Sequence, residues 1–331
     1  MWISPVVNRG IGALKRWSVR STVALGLGFI AAISAGGAGL TDSKILAIQV
    51  SLDRAGYSSN AADGQWGRKT QSALEWWASA NGSAVPATVE AAYRQVVKPD
   101  TRLFRYDLVT QAEIDSLVKL PLSIPEKAKL PHLGYETIAE MYAERGHLSV
   151  VALKRLNPGV DFRHVNAGTR ILIPDFPSAA EELNAGKLIH RGKREQAERL
   201  TVSLSRFEVV AFNDEDRPIA VFPCSIAADK AKLPKGVLKI TTLVPGPNYT
   251  YTPDAVPKGE KTKKYILAAG PNNPVGLAWI GLSLPGYGIH GTPFPERIGR
   301  AESHGCFRLA NWNAVRLFAM VNPGTKVEVV P

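Results

Sequence analysis

The run Ser303-His304-Gly305-Cys306-Phe307-Arg308-Leu309, with Tyr287-Gly288-Ile289-His290-Gly291-Thr292 just upstream, gathers one thiol, two imidazoles and a guanidinium. A thiol attacks carbonyl carbon only as its thiolate, and free cysteine titrates near about 8.5, so it needs a base or a positive field. The two histidines offer the base and Arg308 the field. An extended backbone over residues 304–308 would send His304, Cys306 and Arg308 to one face, by the two-residue period of a strand. Gly305 has no Cβ, which lets a carbonyl approach the main-chain N–H groups; with the N–H of Cys306 these would form an oxyanion hole. The chemistry this points to is acyl transfer through an ionised sulfur beside an imidazole.

Other chemistries find less support. Cys224 and Cys306 are the only cysteines, so neither a disulfide framework nor a four-thiolate zinc site is available. Cys224 sits in an apolar run and reads as core, and a bridge to Cys306 would consume the nucleophile. His132, His147, His164 and His190 lie in unrelated segments without ligand spacing; they read as surface or cap histidines, and neither metal nor organic cofactor is expected. Forty Lys and Arg against 29 Asp and Glu leave a formal charge of +11, which favours anionic partners. Zinc-finger spacing and RNA-binding signatures are missing, so nucleic acid is not an expected partner. Lys258, Lys261, Lys263 and Lys264 read as a solvated loop, or as an attractor of substrate carboxylates, with Tyr249, Tyr251 and Pro253 on the same insertion.

The chain must position this constellation with 331 residues, enough for two or three domains. Arg9, Lys15, Arg16 and Arg20 precede an apolar, Gly- and Ala-rich stretch over residues 23–38. That order reads as an export signal over residues 1–38, either cleaved or kept as a membrane anchor. Residues 42–98 show apolar positions at threes and fours around the turn Ala62-Asp63-Gly64, and read as a small all-α domain. Residues 99–133, punctuated by Pro121, Pro125 and Pro131, read as a linker that carries a strand and a short helix. Residues 131–175 read as an α+β module: two helices, the second ending at Asn157-Pro158-Gly159, then the strand Ile171-Leu172-Ile173-Pro174. Residues 178–196 read as an exposed helical connection. From residue 197 onward short β-rich runs dominate, with one clear helix near Trp312, so residues 197–331 read as a mainly-β domain. The fold class is multidomain: all-α, α+β and mainly-β units in that order.

The motif over residues 287–309 resembles that of the YkuD-type L,D-transpeptidases, in which an upstream His is followed by Ser-His-Gly-Cys and an Arg. The likeness extends through Gly270-Pro271-Asn272-Asn273-Pro274-Val275-Gly276 and Ile280-Gly281-Leu282, covering nearly all of residues 197–331. One departure is Leu233-Pro234-Lys235-Gly236, where the family has Thr-Pro-x-Gly. The resemblance implies that Cys306 is the nucleophile and His290 the general base, oriented by the carbonyl of Gly291 or His304. Ser303, His304 and Gly305 would shape the oxyanion and substrate site. Arg308 would support the thiolate or a substrate carboxylate, and Tyr287, Asn273 and Thr292 would help bind substrate. Such enzymes act on peptidoglycan stem peptides and are acylated by carbapenems. Their acyl acceptor is a stem amine, an envelope-lipoprotein lysine or water.

Upstream, Ile48-Gln49, Leu52, Gly56-Tyr57, Asp63-Gly64, Trp66-Gly67 and Thr70 to Ala73 resemble the helical peptidoglycan-binding domain, with Trp66, Trp76 and Trp77 as core aromatics. Residues 131–175 resemble a LysM-type glycan-binding module. The implied setting is the periplasm or cell envelope, in contact with the wall. On this reading, deleting residues 43–175 costs wall binding and spares turnover.

Overall fold

The computed structural model describes residues 40–177, 195–253, 263–303 and 305–331. The expected export signal, the connection over residues 178–194, Lys258, Lys261, His190 and His304 lie outside them.

Helices α1 (Leu40–Arg54), α2 (Arg68–Ala80) and α3 (Val89–Val96) form the first unit. Ile48, Leu52, Ala73, Leu74, Ala92 and Val96 face inward and are buried together, as the three-and-four spacing requires. Buried Gln49 organises the turn between α1 and α2. Its Nε2 donates to Asp63 Oδ1 (3.0 Å) and Thr70 Oγ1 (3.0 Å), and its Oε1 accepts from the N–H groups of Asp63 (3.0 Å) and Gly64 (2.8 Å). One amide thus satisfies backbone groups that a tight turn would otherwise bury unpaired.

The second unit contains β1 (Phe104–Leu108), α4 (Gln111–Asp115), α5 (Ile124–Lys127), α6 (Ile138–Arg145), α7 (Val150–Leu156) and β2 (Arg170–Pro174). Thr137 and Ser149 cap α6 and α7 by accepting from the N–H groups of Glu140 and Ala152. Asn157 ends α7, and its side chain exchanges hydrogen bonds with the backbone of Leu172 on β2. The strand opposite β2 is β1, antiparallel, with Phe104 beside Pro174 and Leu108 beside Arg170. Residues 104–108 fall in the stretch read above as linker. In Phe-Arg-Tyr-Asp-Leu only Phe104 is fully buried, and Tyr106 and Leu108 on its own face are exposed, so no apolar alternation marks where the strand expected in this stretch lies.

The third unit is a curled eight-stranded sheet in the order β13-β11-β10-β7-β14-β3-β4-β5. Its strands are β3 (Arg199–Ser203), β4 (Glu208–Phe212), β5 (Pro218–Pro223), β7 (Gly236–Pro245), β10 (Ala278–Leu282), β11 (Gly288–His290), β13 (Phe307–Arg308) and β14 (Lys326–Val330). The short strands β6 (Ile226–Ala227) and β12 (Ala301–Ser303) pair beside it, as do β8 (Tyr249–Tyr251) and β9 (Tyr265–Leu267). Strand β7 joins the two halves, pairing β14 through residues 236–239 and β10 through residues 240–245. Helix α8 (Asn311–Phe318) lays Ala314, Val315 and Leu317 on a core with Phe222, Ile280, Ile289, Phe307 and Val327.

The units share cores. Val210, Phe212 and Val221 of the sheet are buried with Ile48, Leu52 and Leu74, while Leu46 and Val50 on the other side of α1 are buried with the second unit. Gly56 is where backbone meets backbone: at φ +101°, a Cβ there would sit 2.8 Å from the Ile219 carbonyl oxygen. Trp76 donates to Glu208 Oε1 (2.9 Å) and meets Phe212 edge-on, a domain contact. The expectation that residues 43–175 can be deleted without consequence for turnover is therefore revised: their removal would expose apolar core on the sheet.

Candidate active site

Three adjacent strands build the site. In the ladder Trp279 of β10 lies beside His290 of β11, and His290 beside Arg308 of β13; Gly281 lies beside Gly288. Cys306, one residue ahead of β13, continues that second row. Side chains two apart on a strand share a face, and neighbouring strands lie about 4.8 Å apart. Trp279, His290 and Arg308 therefore project to one side, and Cys306 sits in the bend that leads into β13, its thiol under the Arg308 charge. The two glycines leave a hollow in the second row, and Trp279 fills it: a Cβ on Gly288 would lie 2.7 Å from the indole. The indole stacks on the His290 ring at 5.5 Å and 17°.

His290 is buried, and its Nδ1 lies 2.7 Å from the carbonyl oxygen of Gly291. A carbonyl only accepts, so Nδ1 carries the proton and Nε2 keeps its lone pair. Of the two orienting carbonyls expected, the structure provides that of Gly291. Burial drives the His290 pKa down to about 4; the Gly291 bond partly offsets this, and the Arg308 charge adds to it.

The Cys306 thiol lies 3.6 Å from the Gly286 carbonyl oxygen. Burial pushes its pKa up, against the opposing pull of the Gly288 N–H and the Arg308 charge. At rest the pair is a neutral thiol and a neutral imidazole. The expectation of a standing thiolate gives way to a base that must take the proton as the sulfur attacks. Cys224 is buried in the main core with its thiol pKa raised, and both cysteines are free.

Ser303 holds the turn that presents the sulfur. Its Oγ donates to the Cys306 carbonyl (2.6 Å) and accepts from the Gly305 N–H (3.3 Å). The Gly305 amide, expected to face an oxyanion, is thus occupied in the resting turn. Gly305 is required for space, since a Cβ there would lie 2.8 Å from the Tyr287 ring, which places Tyr287 over the turn. Residues 305 and 306 form a bend, and the extended run is limited to Phe307 and Arg308.

Two expected substrate contacts are corrected. Asn273 is wholly buried; its Nδ2 donates to the Ala268 carbonyl (2.8 Å) and its Oδ1 accepts from Val275 N–H (2.9 Å), so it shapes its own loop. Thr292 is buried too, with Oγ1 accepting from Phe294 N–H (3.3 Å). The Asn273 amide is thus spent within its loop, and Thr292 is recessed from solvent with its oxygen turned to its own backbone. His147, read as a surface or cap residue, is buried against Asp53 at 3.0 Å.

Several contributors escaped the sequence reading. Gly288 supplies an N–H to the sulfur, Trp279 supports the base, and Asn311 touches the loop behind it. Asn311 follows the Cys motif closely enough to be suspected, whereas Glu144, which binds Asn311, lies far upstream and carried no signal.

Residues 197–329 match the family model of the L,D-transpeptidase catalytic domain, YkuD. A Bacillus licheniformis protein named L,D-transpeptidase YkuD is 28% identical over 180 residues, covering 54% of this chain and 86% of its own. A Fuscovulum blasticum protein named as an L,D-transpeptidase in the ATP synthase subunits region is 34% identical over 119 residues, covering 36% of this chain and 62% of its own. ErfK/SrfK of Escherichia coli K12, named as a probable L,D-transpeptidase, is 26% identical over 200 residues, covering 59% of this chain and 58% of its own. This chain therefore spans less than two thirds of the latter two relatives.

Proposed function

With an L,D-transpeptidase catalytic domain of the YkuD family over residues 197–329, we propose that this chain is a cysteine acyltransferase that joins peptidoglycan stem peptides. Cys306 Sγ attacks the carbonyl ahead of the terminal D-alanine of a tetrapeptide stem, and His290 Nε2 takes the thiol proton as the C–S bond forms. The tetrahedral intermediate collapses, the C–N bond breaks, and D-alanine leaves with the proton from His290. An amine on a second stem, the side chain of a diamino acid, then attacks the thioester and gives its proton to His290. A new amide forms and the thiol is regenerated. A lipoprotein lysine or water in place of that amine gives anchoring or hydrolysis by the same steps.

The observation that carries this reading is the bond from His290 Nδ1–H to the Gly291 carbonyl. It leaves Nε2 as an acceptor on the face that holds Cys306, and burial keeps the ring unprotonated, so that its lone pair is available. Arg308, on the same face, suits a stem carboxylate. The basic balance of the chain suits a carboxylate-rich polymer.

We assign residues 40–97 and 104–174 to wall-facing modules, the second a LysM-like unit that opens at β1 and carries an insertion between β1 and α6. A basic-then-apolar N-terminus supports an envelope location for the enzyme, exported by a cleaved signal or held by an anchor. The test is the purified protein with a muropeptide tetrapeptide, its products read by mass spectrometry. D-Alanine release and a cross-linked or hydrolysed product are expected, and both should vanish in Cys306→Ala. Binding without release would sink the enzyme reading.

A further inference from the structure

The loop over residues 268–277 runs between the catalytic histidine and the second unit, and the second unit holds it. Leu133 N–H donates to the Ala269 carbonyl (3.0 Å), and Asn272 N–H donates to the Leu133 carbonyl (3.0 Å). Asn272 Nδ2 donates to the Gly134 carbonyl (2.9 Å) and to Glu140 Oε1 (2.6 Å). At Gly270 the approach is so close that a Cβ would sit 2.2 Å from the Leu133 carbonyl oxygen.

Asn311, at the start of α8, completes the link. Its Nδ2 donates to Glu144 Oε2 on α6 (2.8 Å) and to the Pro271 carbonyl (3.0 Å). With both N–H groups committed, the amide has one orientation, and its Oδ1 accepts from Leu277 N–H (3.2 Å). That oxygen also packs on two glycines: a Cβ would lie 2.1 Å from it at Gly276 and 2.3 Å from it at Gly291. Gly291 is the residue whose carbonyl holds His290. Glu144 is secured in turn, its Oε1 accepting from the Tyr135 hydroxyl (2.7 Å). Burial raises its carboxyl pKa to about 7, the bonds from Tyr135 and Asn311 opposing and nearby Glu140 reinforcing the rise. A half-buried carboxyl held at such cost between two donors is poorly explained as mere filling of an interface that leucine could pack.

We propose that Glu144 is a positioning residue for the catalytic base: acting through Asn311, it fixes the Gly291 carbonyl that turns His290 Nε2 toward Cys306. The α/β unit is then part of the active site as well as a wall-facing module. The inference rests on the acyl-transfer reading for the meaning of rate, but not for the geometry of His290.

The experiment uses the full chain and two readouts. One is the second-order rate of Cys306 acylation by a carbapenem, followed by intact-protein mass spectrometry. The other is the His290 tautomer, read from nitrogen-15 histidine spectra and assigned with His290→Gln. The parent protein should show His290 as a single Nδ1–H tautomer. Glu144→Gln can still accept from Asn311 and donate to Tyr135, and should keep the single tautomer with less than about a threefold loss in rate. Glu144→Leu leaves one Asn311 N–H without its partner and should lower the rate about tenfold or more, with mixed tautomers. Asn311→Ser should mix the tautomers while Glu144 stays in place, which serves if Glu144→Leu does not fold. A single tautomer in folded Asn311→Ser, or parent rate and tautomer in Glu144→Leu, would overturn the proposal. A parent protein that takes up no carbapenem would instead count against acyl transfer, and the tautomer comparison would still decide the positioning claim.

Discussion

Two buried histidines of this chain anchor Nδ1 on oxygens of different charge. His290 donates from Nδ1 to a backbone carbonyl, which orients the ring and leaves Nε2 as an acceptor, while burial keeps the ring neutral. His147 faces the carboxylate of Asp53 at 3.0 Å, and Asp53 Oδ1 also accepts from Arg316 Nη1 at 2.6 Å. The His147 ring lies between Phe176 (4.0 Å, 9°) and Trp312 (5.2 Å, 11°). Its backbone holds a φ of +51°, a conformation that a β-carbon resists and that dense packing must sustain. The carbonyl partner makes a base, whereas the carboxylate and guanidinium make a clamp joining α1, the second unit and α8. His147 serves cohesion because its ring is enclosed between Phe176, Trp312 and Asp53, whereas the His290 ring stacks on Trp279 in the strands that build the site.

The contrast can be broken most sharply at His290. Replacing it with Ala should slow acylation by about 10²–10⁴-fold, the usual worth of a positioned general base. With a His290 pKa of about 4, the parent acylation rate should rise with pH through that value and then stay level toward neutrality. A rate that climbs steadily to alkaline pH would mean that a free thiolate attacks without help from the ring. Stopped-flow acylation across pH distinguishes the two.

At the clamp, Asp53→Asn should destabilise the fold by about 3–5 kcal/mol, because Arg316 is left buried without its counter-charge. Burial pushes the Asp53 carboxyl up, and the His147 and Arg316 charges and hydrogen bonds more than reverse it, so its folded pKa lies below the usual carboxylate range. The clamp's contribution is therefore complete above about pH 4, the unfolded value, and is lost as pH falls through the lower folded value. Urea midpoints of parent and variant should converge in acid and separate at neutral pH. The smallest effect is expected at Ser303→Ala, about 1 kcal/mol of stability from the lost bonds to the Cys306 turn, again read from urea midpoints.

Much of this was legible in the residues. The thiol, the imidazole and their spacing singled out the pair proposed to react, and the three-and-four pattern over residues 42–98 pointed to the helices of the first unit. The strands after residue 197 announced themselves by β-branched and aromatic runs. What failed did so for local reasons. Strand β1 was expected within residues 99–133 but not placed there, because only Phe104 of its five residues is fully buried. Asn273 and Thr292 were read as substrate contacts because they sit in a likeness to the catalytic motif, and a motif does not say which of its polar atoms are already spent inside its own turns. Trp66, Trp76 and Trp77 were read as core aromatics, and all three pack against the core of the first unit, with Trp76 reaching on to Glu208.

The sequence alone determined which atoms can react, since a thiol, a base and a glycine-bearing turn are properties of residue type and near neighbours along the chain. Only tertiary structure decided their charge states and supports. Burial neutralises His290 and Cys306, and burial is a sum over residues from every part of the chain. Glu144 reaches Asn311, and Asp53 reaches Arg316 and His147, across separations that no local pattern encodes; desolvation and hydrogen-bond pairing become definite only when packing brings those segments together.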